Sequence, residues 1–172
     1  LSDEGSAMIL KLAADKLRAG VVREYPAVEF KPEADYFIIG NDAQMMEFAK
    51  AVAGGSFNKS KAILTCDIDM SDTPWTSIKD FGGTFDGMGH TIAGLCAPLF
   101  ETLSGTVCNT TIQSAISETA SLNIGAVACK LAGGTISRVN VEGLVEYIPA
   151  AVPAEANFGA VAGDVSSGTI TG

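Results

Sequence analysis

The sequence predicts a mainly β fold, built as a short parallel β-helix with α-helical cover at its N-terminal end. A Gly-Thr-apolar triplet recurs at Gly83-Thr84-Phe85, Gly105-Thr106-Val107, Gly134-Thr135-Ile136 and Gly168-Thr169-Ile170, at spacings of 22, 29 and 34 residues. Two longer units, Asn123-Ile-Gly-Ala-Val-Ala and Asn157-Phe-Gly-Ala-Val-Ala, lie 34 residues apart, each followed at the same offset by its Gly-Thr-Ile. Between these glycines the segments alternate apolar and polar at period two, with no ten-residue stretch of helical pattern, so helical repeats are excluded. Propeller blades need about 40–45 residues each and a closed ring, which about four units cannot supply. In a β-helix, coils stack about 4.8 Å apart, and Val107, Ile112, Val127, Ile136, Val139, Val141, Val161 and Ile170 would point inward as ladders. Unequal spacings then mean fixed strands joined by variable loops.

Composition points the same way. The 172 residues suit one domain that buries its own core without metals or disulfides. An apolar share of 47% argues against disorder, while 19 glycines and only 18% charged residues favour short strands and turns over a helical bundle. Twenty acidic against eleven basic residues give a net charge of −9, and no Lys/Arg cluster is visible, which argues against nucleic acid as a partner. No apolar run reaches the roughly 18 residues of a membrane-spanning helix. No basic, then apolar leader opens the sequence, so any export signal is expected to have been removed or to lie outside it.

In chain order, residues 1–60 form a helical capping region and 61–172 the β repeats. Met8, Ile9, Leu12 and Leu17 recur at helical spacing between Ser2 and Ala19, and Gly20 follows as a stop. Val21-Val22 and Tyr36-Phe37-Ile38-Ile39 are β-prone pieces separated by Pro26 and Pro32. Asn41 or Asp42 caps a second amphipathic helix carrying Met45, Phe48, Ala49 and Val52 on one face, and Gly54-Gly55 ends it. A helix there would cover the first coil, whose interior and backbone edge are otherwise open. Residues 62–70 read as one strand, with Leu64, Cys66, Ile68 and Met70 inward and Thr65, Asp67 and Asp69 outward. Ser71 to Lys79 is a loop holding the single tryptophan, and Leu144 to Ala156 is the longest loop insertion.

The residues able to do chemistry mostly read as scaffold. His90, the only histidine, sits in Phe85-Asp-Gly-Met-Gly-His-Thr-Ile and is expected to order a corner by hydrogen bonding. Asp86 reads as a turn residue with an Asx-type bond. Asp67, Asp69 and Asp72 are the densest carboxylates, yet the sixth and twelfth positions of a calcium loop counted from Asp67 hold Asp72 and Ile78, not Gly and Glu. Cys66, Cys96, Cys108 and Cys129 lack CxxC spacing and are expected as free, mostly buried thiols, with a Cys96–Cys108 disulfide as the alternative. No catalytic, cofactor or metal site is assigned. The residues marked for ligand contact are Trp75, Asp67, Asp69 and Tyr147: a tryptophan can stack on a sugar ring, and Tyr147 lies in the loop insertion, where binding tends to reside.

From about Phe37 onward the sequence resembles bacterial surface proteins with GLUG-type repeats, including adhesin-like proteins and the non-catalytic N-terminal regions of IgA-peptidase-like proteins. The matching pieces are Ala43-Gln-Met-Met-Glu-Phe-Ala-Lys-Ala-Val, Leu64-Thr-Cys-Asp-Ile-Asp-Met, Trp75-Thr-Ser-Ile, Gly83 to Ile92, Leu99-Phe and the two Gly-Ala-Val-Ala units. The tryptophan segment lacks the usual Pro and Gly, and Gly-Ala stands where the family has Gly-Gly. The resemblance implies a right-handed parallel β-helix in a secreted or cell-surface bacterial protein. The expected function is a non-enzymatic, adhesin-like binding module or spacer, with a host glycan or matrix protein as partner. The competing expectation is a polysaccharide-degrading lyase or glycosidase using Asp67, Asp69 and Asp86, and a third is a support for a distant catalytic domain. The last coil ends just after an anchor triplet without a cap. It is therefore expected either to continue in a longer protein or to associate edge-to-edge with a second molecule.

Overall fold

A computed structural model describes residues 36–118, 123–148 and 156–172. The helix expected between Ser2 and Ala19 lies outside the described residues. The strands are β1 (Tyr36–Ile39), β2 (Lys61–Leu64), β3 (Ile68–Asp69), β4 (Ile78–Phe81), β5 (Thr84–Asp86) and β6 (Thr91–Leu95). They continue as β7 (Phe100–Leu103), β8 (Thr106–Glu118), β9 (Asn123–Ile124), β10 (Ala128–Tyr147), β11 (Asn157–Phe158) and β12 (Ala162–Thr171). One helix, α1 (Asp42–Ala53), joins β1 to β2.

Among the described residues every strand pairing is parallel; β9 and β11 pair in a small sheet of their own, and the other pairings form three long ladders. The first aligns Tyr36, Lys61, Thr84, Thr106, Thr135 and Thr169 on successive strands. The second aligns Ile68, Ile92, Ile112 and Val141. The third aligns Ile78, Phe100, Ala128 and Ala162. From β2 onward the chain visits the first, second and third ladders in a fixed rotation, and the long strands β8 and β10 bend through two or three of them. The result is a mainly β protein with a curled, all-parallel sheet. Among the described residues the first ladder includes Tyr36–Ile39, the β-prone piece within the expected 1–60 capping region.

The Gly-Thr-apolar triplet has a direct physical cause in this stack. Gly83, Gly105, Gly134 and Gly168 lie one above another, and a Cβ on any of the last three would strike the carbonyl oxygen of the glycine before it. Gly83 meets the Ser60 carbonyl in the same way. Those carbonyls accept from the next threonine amide: Thr84 N to Ser60 O at 3.0 Å, Thr106 N to Gly83 O at 2.8 Å and Thr135 N to Gly105 O at 2.8 Å. Glycine permits the close approach, threonine follows on the ladder, and the third residue enters the core as the column Ala62, Phe85, Val107, Ile136 and Ile170. A second inward column runs Phe81, Leu103, Leu131 and Val165. Both columns are buried until the last coil, where Val165 and Ile170 are about half exposed, as is Phe158 beside them.

Local signals set α1 as expected. The Asn41 side chain accepts from Gln44 N at 2.8 Å, and the Gln44 side chain accepts from Gly40 N at 2.7 Å, a reciprocal cap. Met45, Phe48 and Val52 fall on one face and are buried. The Phe48 ring lies 5.3, 5.6 and 6.0 Å from those of Phe37, Phe81 and Phe85, so the helix is fastened to side chains from the first and third ladders.

Three expectations change. Residues 62–70 are not one strand: β2 stops at Leu64 and a bend carries Thr65, Cys66 and Asp67 outside before β3 starts. Leu64, Ile68 and Met70 still point inward, whereas Cys66 does not, because the bend breaks the period-two alternation. No Cys96–Cys108 disulfide forms, and of the four thiols only Cys108 is buried, while Cys66 and Cys96 are exposed. Finally, Leu144 to Tyr147 do not leave the coil: they extend β10 against Ala115–Glu118 of β8.

Candidate functional site

Of the acidic residues singled out by sequence, Asp67, Asp69 and Asp86 each accept from a backbone N–H, Asp67 on the bend before β3, Asp69 at the end of β3 and Asp86 at the end of β5, while Asp72 is exposed. Asp67 Oδ1 accepts from Thr91 N at 2.9 Å and lies 3.2 Å from His90 Nδ1, joining the bend before β3 to the start of β6. Asp69 accepts from Ser71 N at 3.0 Å, closing its own turn. His90 is thereby part of a corner, and its carbonyl accepts from the Thr110 hydroxyl at 2.9 Å on the next coil. Asp86 closes an Asx turn, accepting from Met88 N at 3.0 Å, and begins a rising chain of side-chain bonds. Asn109 donates to Asp86 at 2.9 Å, and Arg138 donates to Asn109 at 2.6 Å. Asn109 and Arg138 both hold left-handed backbone, with φ of 55° and 51°, where this column turns between the first and second ladders.

These bonds lower the pKa of the carboxylates. Asp67 is held below 3.8 by the Thr91 amide first and His90 second, and Asp69 by Ser71. Burial pushes Asp86 up, but the Asn109 amide and the Met88 N–H outweigh it, leaving the group below 3.8. Burial, followed by the nearby Asp86 charge, raises the Cys108 thiol. A carboxylate whose pKa is lowered on folding binds fewer protons folded than unfolded. Its stabilising contribution is therefore complete well above 3.8 and disappears as pH falls through the lowered values. Thermal unfolding followed by circular dichroism should show a flat melting temperature from pH 7 to 5 and a decline below about pH 4. Asp86→Asn should shrink that decline, and an identical acid profile would refute the assignment.

Trp75 is not an open stacking surface. It is 5% exposed, and its indole N–H donates to Pro98 O at 3.0 Å, which ties the loop after β3 to the loop before β7. The apolar neighbours that suit a packed ring prevail here. Its edge nevertheless helps to wall a cleft of about 480 Å3 on the outer side of the third ladder. Thr76 and Ser77 line one flank, Ala97 and Pro98 an end, and the floor is set by β4, β7 and β10 through Lys79, Glu101, Thr102 and Lys130. Tyr147 is in register with Glu118 at the far end of β10. Neither Asp67 nor Asp69 lines the cleft.

The cleft brings together residues that lie scattered in sequence. Ile78, Phe100 and Ala128 are paired, so the next residues outward are Lys79, Glu101 and Cys129; one step further, Asp80, Thr102 and Lys130 pair. Lys130 also faces Asp164 of β12 at 3.9 Å, a long ion pair with the lysine side chain 44% exposed. Sequence reading passed over Lys79, Glu101 and Lys130 because nothing near any one of them is unusual. Aligning the Gly-Thr triplets back to the preceding strand would have placed them on adjacent rungs. Among the described residues, no three His, Cys, Asp or Glu side chains converge as a metal site would require. No helix there is long and apolar enough to cross a membrane. No protein-family profile, curated protein or solved structure matches the chain.

Proposed function

We propose that the chain is a non-enzymatic binding module or spacer: a right-handed parallel β-helix, with α1 covering its first coil, of the kind carried by bacterial surface proteins with GLUG-type repeats. The observation that carries this reading is the use made of the repeated residues. The glycine column, the threonine ladder and the Asp86–Asn109–Arg138 chain all serve the stacking of one coil on the next. Residues free to meet a partner are therefore those on the outer faces between the columns, above all in the cleft beside Trp75. Among the described residues, Glu101 is the one carboxylate that lines the cleft. Glycoside hydrolysis by a carboxylate pair needs two flanking the scissile bond, so the cleft suits holding a ligand better than cleaving one.

The test is a screen of the purified chain against immobilised glycans and matrix proteins, with chromatography of the same glycans after long incubation. Retention of at least one ligand without new fragments is expected. Fragments from a polysaccharide, absent with Asp69→Ala, would instead establish the degradative enzyme.

A further inference from the structure

We propose that the cleft beside Trp75 takes a carboxylate-bearing sugar, a uronate unit of an acidic oligosaccharide, with Lys79 and Lys130 holding the carboxylate. This inference rests on the binding-module reading and gives that reading a ligand class. The first argument is charge placement. The described residues contain six lysines and arginines, and two of them, Lys79 and Lys130, line this one cleft of a chain with net charge −9. A local cationic site on an acidic protein attracts a compact anion, while the surrounding field repels a long polyanion such as nucleic acid. The field and the cleft together select a short stretch of ligand with few charges.

Geometry supplies the second argument. Lys79 stands on β4 and Lys130 on β10, with β7 between them, so their backbones are two strand spacings, roughly 9–10 Å, apart. Each ammonium sits on a flexible four-carbon stem with three donors, so the pair can close on one carboxylate from two sides. Neither is locked away: among the described residues Lys79 is exposed and has no ion-pair partner, and Lys130 has the one 3.9 Å contact with Asp164. Between the lysines, Glu101 and Thr102 offer an acceptor and a hydroxyl, and Thr76 and Ser77 add two more hydroxyls on the flank. That set matches the other half of a uronate, whose ring hydroxyls both donate and accept. Glu101 also repels a second carboxylate, which limits the site to one acid group. Its volume of about 480 Å3 lies within the roughly 300–1,000 Å3 of small-ligand sites.

The experiment is an amide-resolved NMR titration of the intact chain with a hyaluronan disaccharide, its carboxyl-reduced counterpart and sodium acetate. The disaccharide should shift amides of residues 76–79, 101–102 and 130, and the reduced sugar should bind about a hundredfold more weakly, the cost of both charge-assisted contacts. Acetate at equal concentration should leave the same amides in place, since it lacks the ring hydroxyls. Lys79→Gln and Lys130→Gln should each lower affinity about tenfold, and Asp164→Asn should raise it by releasing Lys130, with the remaining spectrum unchanged. Equal binding of the reduced sugar, or shifts confined to other faces, overturns the uronate assignment and leaves the binding module standing. Binding of neither sugar also overturns the assignment, and the wider glycan and matrix screen then decides the module separately.

Discussion

Gly105→Ala is expected to lower stability by more than about 3 kcal/mol, which for a chain of this length is a fall in melting temperature of roughly 6–12 °C. The Cβ would lie against the Gly83 carbonyl oxygen, 2.6 Å from Gly82 C and 2.7 Å from Gly83 N. All three are backbone atoms of the preceding coil, and no rotamer change can move them aside. The new methyl either separates two coils or breaks the bonds Thr106 N to Gly83 O and Thr135 N to Gly105 O on either side of it. Gly54→Ala is the contrasting substitution. Its nearest atoms are 3.5 Å away and its φ is −76°, so alanine fits, and it restricts the unfolded chain. That variant should melt at or slightly above the parent temperature. Equal melting of the Gly105 variant and the parent would contradict the stacking account.

Phe48→Ala should cost about 3–5 kcal/mol. The ring is fully buried and contacts Phe37, Phe81 and Phe85, while Phe81 stacks on Phe100 at 5.1 Å with the planes 12° apart. Removing it leaves a cavity where α1 meets the interior and uncouples the helix from three strands. Denaturant unfolding measures the loss, and Phe48→Leu, which fills most of the volume, should recover a large part of it. A loss under about 1 kcal/mol would mean that α1 is not seated on the core as described.

Much of this architecture was readable in the sequence because its causes are local or periodic. Asn41 and Gln44 set the start of α1, Met45, Phe48 and Val52 set its buried face, and the triplets gave the first ladder its order. Val107, Ile112, Val127 and Ile136 were placed correctly in the core because alternation holds wherever a strand is straight. Alternation misled at Cys66, where the chain bends between two ladders and reverses the expected side. The loop expected over Leu144 to Ala156 fails at its start, where pairing of Leu144 to Tyr147 with Ala115–Glu118 keeps the strand going.

The candidate site was less legible for a related reason. Asp67, Asp69 and Trp75 attracted notice as residue types able to bind or catalyse, and contacts made across coils show what they are used for. Trp75 donates to a carbonyl 23 residues away, and Asp67 accepts from an amide 24 residues away. Lys79 and Lys130 meet only through two successive strand pairings, β4 with β7 and β7 with β10. Charge, loop and residue type could not reveal that meeting before the register was known.

The central claim is that the four Gly-Thr-apolar triplets stack in sequence order as one parallel column, leaving function to the outer faces. Interproton contacts between neighbouring strands test it most directly, measured in a uniformly labelled sample. The account predicts close backbone contacts linking Thr84 to Thr106, Thr106 to Thr135 and Thr135 to Thr169, all in parallel register. Contacts of antiparallel pattern, or a pairing that skips a triplet, such as Thr84 with Thr135, would contradict it.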